Sequence, residues 1–431
     1  MPHMKNLNLL GKGIFTLLIL FFAACKDQGG EKMTNKGKTA ALLLQDTSTM
    51  AISYGGYRKG SRDDQPSLEE LKEDMLILSA MGVNMIRTYN VHFPHAANVL
   101  QAIKELRDED PEFEMYVMLG IWIDCKDAWT DHPDHESEAL DKNTGEVEKA
   151  VALSKKYPEI VKILAVGNEA MVHWATSYFV QPGVILKWVN HLQELKKEGQ
   201  LSQDLWITSS DNFASWGGGD ASYHKEELEA LARAVDYISV HTYPFHDTHY
   251  NPEFWNEAID TSAALSQEEQ LERSMKAAAD YAKIQHQNVL DYLEEIGVSK
   301  PVHIGETGWA SSTDGFYGQE GSKAADEVKQ ALYYRNIRAW SKAQNIACFY
   351  FEAFDEIWKD AANPMGSENH FGLFTVDGKA KYVLWDEVDR GVFKGLSRNG
   401  NPIEKTFEGD REALMQEVYL PELTKTDANE Q

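Results

Sequence analysis

Two glutamates stand where an ordinary surface carboxylate would not. Glu169 closes the apolar, β-branched run "IVKILAVGNE" (160–169), and Glu306 stands in "PVHIGETGW" (301–309) between two glycines and a tryptophan. An ionised carboxylate at the end of a buried strand is costly unless it is paired or hydrogen-bonded. Either glutamate alone reads as readily as a structural ion pair as it does as a catalyst. Two together, on separate strands, point to chemistry. Paired carboxylates flanking a bond are the tool of glycoside hydrolysis: a protonated one assists the leaving oxygen while an ionised one attacks the anomeric carbon. Asn168, just before Glu169, is placed to hydrogen-bond a sugar hydroxyl beside the reacting carbon.

Something must hold the two groups across from each other. The runs carrying Glu169 and Glu306 belong to a series of eight, the others being "MAISYGGY" (50–57), "VNMIRTY" (83–89), "FEMYVMLGIWI" (113–123), "DLWITSSDN" (204–212), "VDYISVHTYPF" (235–245) and "IACFYFEAFDE" (346–356). Helix-period segments lie between them. Ser67 and Glu70 form a capping box, Leu68, Leu71, Met75 and Leu78 line one face, and Gly82 stops the helix. Further helices are expected at 96–109, 147–156, 183–198, 225–234, 267–296 and 322–343. Strand alternating with helix eight times predicts a (β/α)8 TIM barrel, one catalytic domain over 47–390. An open doubly wound sheet would show an early glycine-rich phosphate turn, and "GGYRKG" (55–60) has the wrong spacing. Strands four and seven then face each other across the barrel mouth. Polar residues gather at the strand ends, among them Tyr57, Arg87, Tyr89, Asp211, His241, Tyr243, Glu352 and Glu356, as an enzyme barrel requires.

Charge narrows the partners. The 431 residues hold 68 Asp and Glu against 42 Lys and Arg, a formal charge of −26. That balance argues against nucleic acid or an anionic membrane surface and suits a neutral substrate. The first 24 residues read as a signal peptide: Lys5 and Lys12 precede a short apolar stretch from Ile14 to Ala24, too short to span a bilayer. "LFFAAC" then ends at Cys25, which resembles the lipidated cysteine of a bacterial lipoprotein. The expectation is a lipid-anchored protein of the cell envelope, at the outer membrane or cell surface, with 25–46 as a flexible tether. A secreted or periplasmic protein is the alternative. Residues 391–431 read as a C-terminal tail partly packed on the barrel. Cys125 and Cys348 show no metal-ligand spacing and read as small buried residues. "DHPDHESE" (131–138) reads as a solvated loop, so neither metal nor cofactor is expected. The oligomeric state is left open, with a monomer favoured.

Five stretches carry a resemblance: "RTYN" (87–90), "VGNEA" (166–170), "VHTYPF" (240–245), "GETGWAS" (305–311) and "FEAFDEIWK" (351–359). In this order, over residues 50 to 385, the chain resembles glycoside hydrolase family 17, the β-1,3-glucanases and β-1,3-glucan transglycosylases. The resemblance implies a retaining mechanism with Glu169 as general acid/base and Glu306 as nucleophile. It also implies that Tyr89, Tyr243, Glu356 and Lys359 line the cleft. Aromatic faces stack on the apolar face of a sugar, and Trp309 and Trp358 are the preferred platforms. The chain departs from the family in the loop at 124–138, the long insertion between strands six and seven, and the tail. The expected activity is endo-hydrolysis of laminarin-type β-1,3-glucan. The alternatives are a β-1,3-glucan transglycosylase and a non-catalytic surface glycan-binding lipoprotein; the intact glutamates count against the latter.

Overall fold

Alternation along each short strand gives a sheet buried on both sides. Ala51, Met85, Met118, Ile163 and Phe349 join a cluster inside the barrel, while their neighbours Ile52, Ile86, Val117, Leu164 and Tyr350 join the cluster beneath the helices. The structure is a computed structural model and describes residues 38–257 and 265–421. The expected signal peptide, Cys25, the first part of the tether and the end of the tail lie outside the described residues.

Helix α1 (Ala40–Gln45) precedes β1 (Ala51–Ser53), followed by α2 (Leu68–Ala80), β2 (Met85–Arg87), α3 (His95–Glu109) and β3 (Tyr116–Ile121). A short hairpin, β4 (Cys125–Lys126) with β5 (Asp134–Glu138), intervenes before α4 (Leu140–Lys156) and β6 (Val161–Asn168). Then come α5 (Pro182–Lys197), β7 (Trp206–Asn212), α6 (Glu226–Ala234) and β8 (Ile238–His241). The long insertion holds α7 (Pro244–Tyr250), α8 (Glu253–Glu257) and α9 (Gln267–Glu295) ahead of β9 (Val302–Gly308). After α10 (Glu327–Ala343) and β10 (Cys348–Phe351) come α11 (Trp385–Asp389), a hairpin of β11 (Ser397–Arg398) and β12 (Asn401–Pro402), and α12 (Arg411–Gln416). β1, β2, β3, β6, β7, β8, β9 and β10 pair in parallel and close, β10 on β1, into the predicted (β/α)8 barrel.

Local signals in the sequence are used as expected. Ser67 accepts from the Glu70 N–H at 3.2 Å and Glu70 accepts from the Ser67 N–H at 2.7 Å, completing the capping box of α2. The "DHPDHESE" segment departs from a simple loop: Asp134–Glu138 pairs antiparallel with Cys125–Lys126. The expected tether also needs correcting. From Thr39, which caps α1 by accepting the Leu42 N–H, the chain is helical, and Leu43 and Leu44 are buried against Met85, Met118 and Phe349. Three apolar residues on one short helix find the open end of the barrel, and burial outweighs the freedom of a linker. Beyond residue 390, Phe393, Ile403, Leu414 and Val418 are buried in the outer cluster. Among the described residues no helix is long and apolar enough to cross a membrane.

Candidate active site

Each catalytic strand carries an irregularity just before its glutamate. Between β8 and β9, Val240 pairs with Ile304 but His241 pairs with Glu306, so β9 spends one residue more than its partner, at Gly305. Ile304 packs outward in the helix-facing cluster. The extra residue turns Glu306 to the barrel mouth instead of the opposite face. Between β6 and β7, Ala165 pairs with Thr208 and Asn168 with Ser210, again one residue longer on β6. Gly167 there has φ +82°, and Glu169 itself lies at φ +45°, a left-handed conformation that a non-glycine residue adopts at a cost. The Glu169 N–H donates to Ser210 O at 3.0 Å, and two residues on the Met171 N–H donates to Asp211 Oδ2 at 2.8 Å. The strained turn is thus pinned to β7 on both sides.

Glu306 is 7% exposed and saturated with donors. Arg87 Nη1 and the Tyr89 hydroxyl each lie 2.8 Å from Oε2, and the Tyr243 hydroxyl donates to Oε1 at 2.6 Å. Burial works against ionisation here. His241 and Arg87, followed by the Tyr243 and Tyr89 hydroxyls, outweigh it and hold the carboxyl below its ordinary value of 4.5. Glu169 sits differently. A quarter of its side chain is exposed (25%), and His241 Nδ1 donates to its Oε1 at 3.0 Å. Through Nε2 the same imidazole meets Arg87 at 3.1 Å and Ser210 Oγ at 2.8 Å. The two glutamates are therefore joined by a two-residue bridge, His241 and Arg87.

Of the residues singled out in the sequence, Tyr89, Asn168, Glu306, Glu356, Trp358 and Lys359 line one cleft of about 850 Å3. Tyr243 reaches Glu306 from behind, and Arg87 Nη2 donates to Asn168 Oδ1 at 2.6 Å, fixing that amide. Glu356 is buried and accepts the Tyr57 N–H at 3.0 Å. Lys359 lies 2.6 Å from Glu352 and 3.5 Å from Glu356. Burial, with Glu356 adding to it, drives the Glu352 carboxyl well up against the pull of Lys359. Trp358 faces the cleft with the Arg62 guanidinium 4.4 Å over its ring.

Trp309 is a correction. It is fully buried, its indole donates to Ala324 O at 2.8 Å, and it packs against Phe245, Trp255 and Tyr333, so it offers no face to a sugar. The side chain after Gly308 follows the strand alternation away from the mouth. Gly305 and Gly308 likewise give room to neighbouring strands and not to a ligand. A Cβ at Gly305 would collide with the Ser239 and Ser210 hydroxyls, and one at Gly308 with Phe351 O. The aromatic floor is built instead by Trp122, Trp129 and Tyr178. In the sequence Arg87 and His241 stand as polar strand ends within "RTYN" and "VHTYPF"; nothing in their neighbours marked them as the bridge. Among the described residues no cluster of three or more His, Cys, Asp or Glu is placed to hold a metal.

A closed parallel barrel with a glutamate at the mouth of its fourth and of its seventh strand, Glu306 lining an aromatic cleft and Glu169 joined to it through His241 and Arg87, is the architecture of a glycoside hydrolase. Residues 51–372 match the BtgE/BtgC glycoside hydrolase domain, and the chain belongs to that family. It is similar to the crystal structure of an endo-laminarinase from Formosa Hel1_33_131, at 61% identity over 90% of this chain and 98% of that one, with a TM-score of 0.88. It also matches a glucan 1,3-beta-glucosidase of Arthroderma benhamiae, at 25% identity over 350 residues, 79% of this chain and 94% of the relative. A β-1,3-glucanosyltransferase of Rhizomucor miehei shares the fold, at 20% identity over 78% of this chain and 96% of that one, with a TM-score of 0.54. The likeness expected from the five motifs thus holds at the level of the family.

Proposed function

We propose that this protein hydrolyses internal β-1,3-glucosidic bonds of laminarin-type glucans by a retaining, two-glutamate mechanism. The observation that carries the reading is the unequal treatment of the pair: Glu306 is buried and held below its ordinary pKa among three donors, while Glu169 is only half-buried and its carboxylate meets His241 alone. A buried anion fits a nucleophile, and a half-buried carboxyl with access to solvent fits a group that must gain and lose a proton each turnover. In the first step Glu169 gives its proton to the glycosidic oxygen as the C1–O bond breaks, and a Glu306 oxygen bonds to C1. In the second, Glu169 takes a proton from water, whose oxygen attacks C1 and releases Glu306. Support for the substrate and for endo action comes from the endo-laminarinase neighbour, which this chain matches over nearly its whole length.

Glu306→Ala is expected to lose at least about a thousandfold in kcat on linear β-1,3-glucan. In Glu169→Ala, azide is expected to restore turnover and leave a β-configured glucosyl azide. Near-normal turnover by Glu306→Ala overturns the assignment. Products longer than the substrate would assign transglycosylation in place of hydrolysis. We further propose attachment to the cell envelope by a lipid on Cys25, supported by "LFFAAC" and the basic residues before it. Cys25→Ser is expected to abolish incorporation of labelled fatty acid; a labelled variant would refute the anchor.

A further inference from the structure

The β4–β5 hairpin places an indole where stability alone does not call for one. Trp129 is 58% exposed and still held from several directions. Its backbone is left-handed at φ +66°, its N–H donates to Ser177 O at 2.8 Å, and its Nε1 donates to Asp124 Oδ1 at 3.1 Å. The same carboxylate oxygen accepts Trp122 Nε1 at 2.7 Å, so one acid sets two indoles at 30° with centroids 6.3 Å apart. Tyr178 stacks on Trp129 at 5.0 Å and 18°, covering one face. All three rings line the cleft that holds Glu306.

We propose that Trp129, oriented with Trp122 by Asp124, is a distal subsite that stacks on a β-linked glucosyl ring remote from the bond being broken, and so makes the enzyme favour long chains. The indole leaves more than half of its surface open while its backbone and its Nε1 edge are held. It keeps a free, preorganised face, so little ordering entropy opposes binding. A β-glucosyl ring presents an apolar C–H face to such a surface and turns its hydroxyls outward, toward polar cleft residues such as Lys142.

The proposal rests on the functional reading above. Its test compares kcat/KM on laminaritriose and on long linear β-1,3-glucan for the wild type, Trp129→Ala and Trp129→Phe. The long-to-short ratio is expected to fall about three- to tenfold in Trp129→Ala, the worth of one aromatic contact, and to recover in Trp129→Phe. An unchanged ratio in Trp129→Ala overturns the subsite, and so does a phenylalanine variant no better than alanine. If the wild type cleaves neither substrate, the functional reading fails instead. Calorimetric titration of the same glucans into Glu306→Gln, with and without Trp129→Ala, then still reports whether affinity grows with chain length through Trp129.

Discussion

Glu306 has a surplus of donors, and that surplus sets the pH range in which it is an anion. Its pKa lies below the ordinary 4.5, so the acid limb of activity is expected below that pH. Removing a hydroxyl that favours the anion raises the pKa. Tyr243→Phe and Tyr89→Phe are therefore each expected to move the acid limb of kcat/KM upward by about one pH unit. A limb that stays in place would show that the hydroxyls do not hold the charge. Asp211 behaves in the opposite sense. Burial, with the charge of Glu169 adding to it, pushes this carboxyl up to about 6 from 3.8, against the hydrogen bond of Ser215. An acid with a raised folded pKa contributes stability fully below its unfolded pKa and loses it as pH rises through the folded one. Between pH 4 and 6 the wild type should therefore lose about 2 kcal/mol, of about 3 kcal/mol in all, that Asp211→Asn does not. The check is urea unfolding of both proteins across that range; parallel curves would contradict it.

At the scale of elements, two short features do more than their length implies. The extra residue in β9 reverses which face Glu306 takes, because side chains alternate with a period of two, and the one in β6 brings Asn168 into register with Ser210. Helix α1 closes the barrel end away from the chemistry, with Leu43 and Leu44 inside it. Leu43→Ala is expected to cost about 2–5 kcal/mol by emptying that end, with KM unchanged. Chemical denaturation and steady-state kinetics check this together; a raised KM would mean the plug also shapes the mouth.

At the scale of the molecule, the end of the chain is bolted to its beginning. Arg398 is fully buried and meets Asp74 of α2 through Nε at 2.8 Å and Nη2 at 3.1 Å. Asp74 also accepts from Arg58 at 2.9 Å and from the Tyr54 hydroxyl at 3.0 Å. Tyr54 and Tyr57 line the cleft, and the Tyr57 N–H holds Glu356, so this buried cluster lies directly behind the site. Arg398→Ala leaves a buried carboxylate with one cation fewer and is expected to cost about 3–5 kcal/mol, read as a lowered Tm. A shift within error would mean that Arg58 alone suffices for Asp74.

Strand and helix positions were legible because each needs only near neighbours: a period of two, a period of 3.6, a capping serine. The glutamates were legible for the same reason, each ending a strand that local composition defines. Pairing was not. That β9 and β6 carry an extra residue depends on what β8 and β7 offer across the ladder, so the aim of Glu306 and the register of Asn168 were set only when the barrel closed. Trp309 and Trp129 make the same point from opposite sides. Each is a tryptophan just past a strand, and the sequence favours Trp309 for its place beside the nucleophile. Packing buries Trp309 against Phe245 and Tyr333 and holds Trp129 open on its hairpin. By itself the sequence determined the barrel, its eight strands and the two carboxylates, because those rest on short-range patterning. Which faces, rings and partners surround the carboxylates was decided by contacts between residues far apart in the chain, and only the closed barrel brings those together.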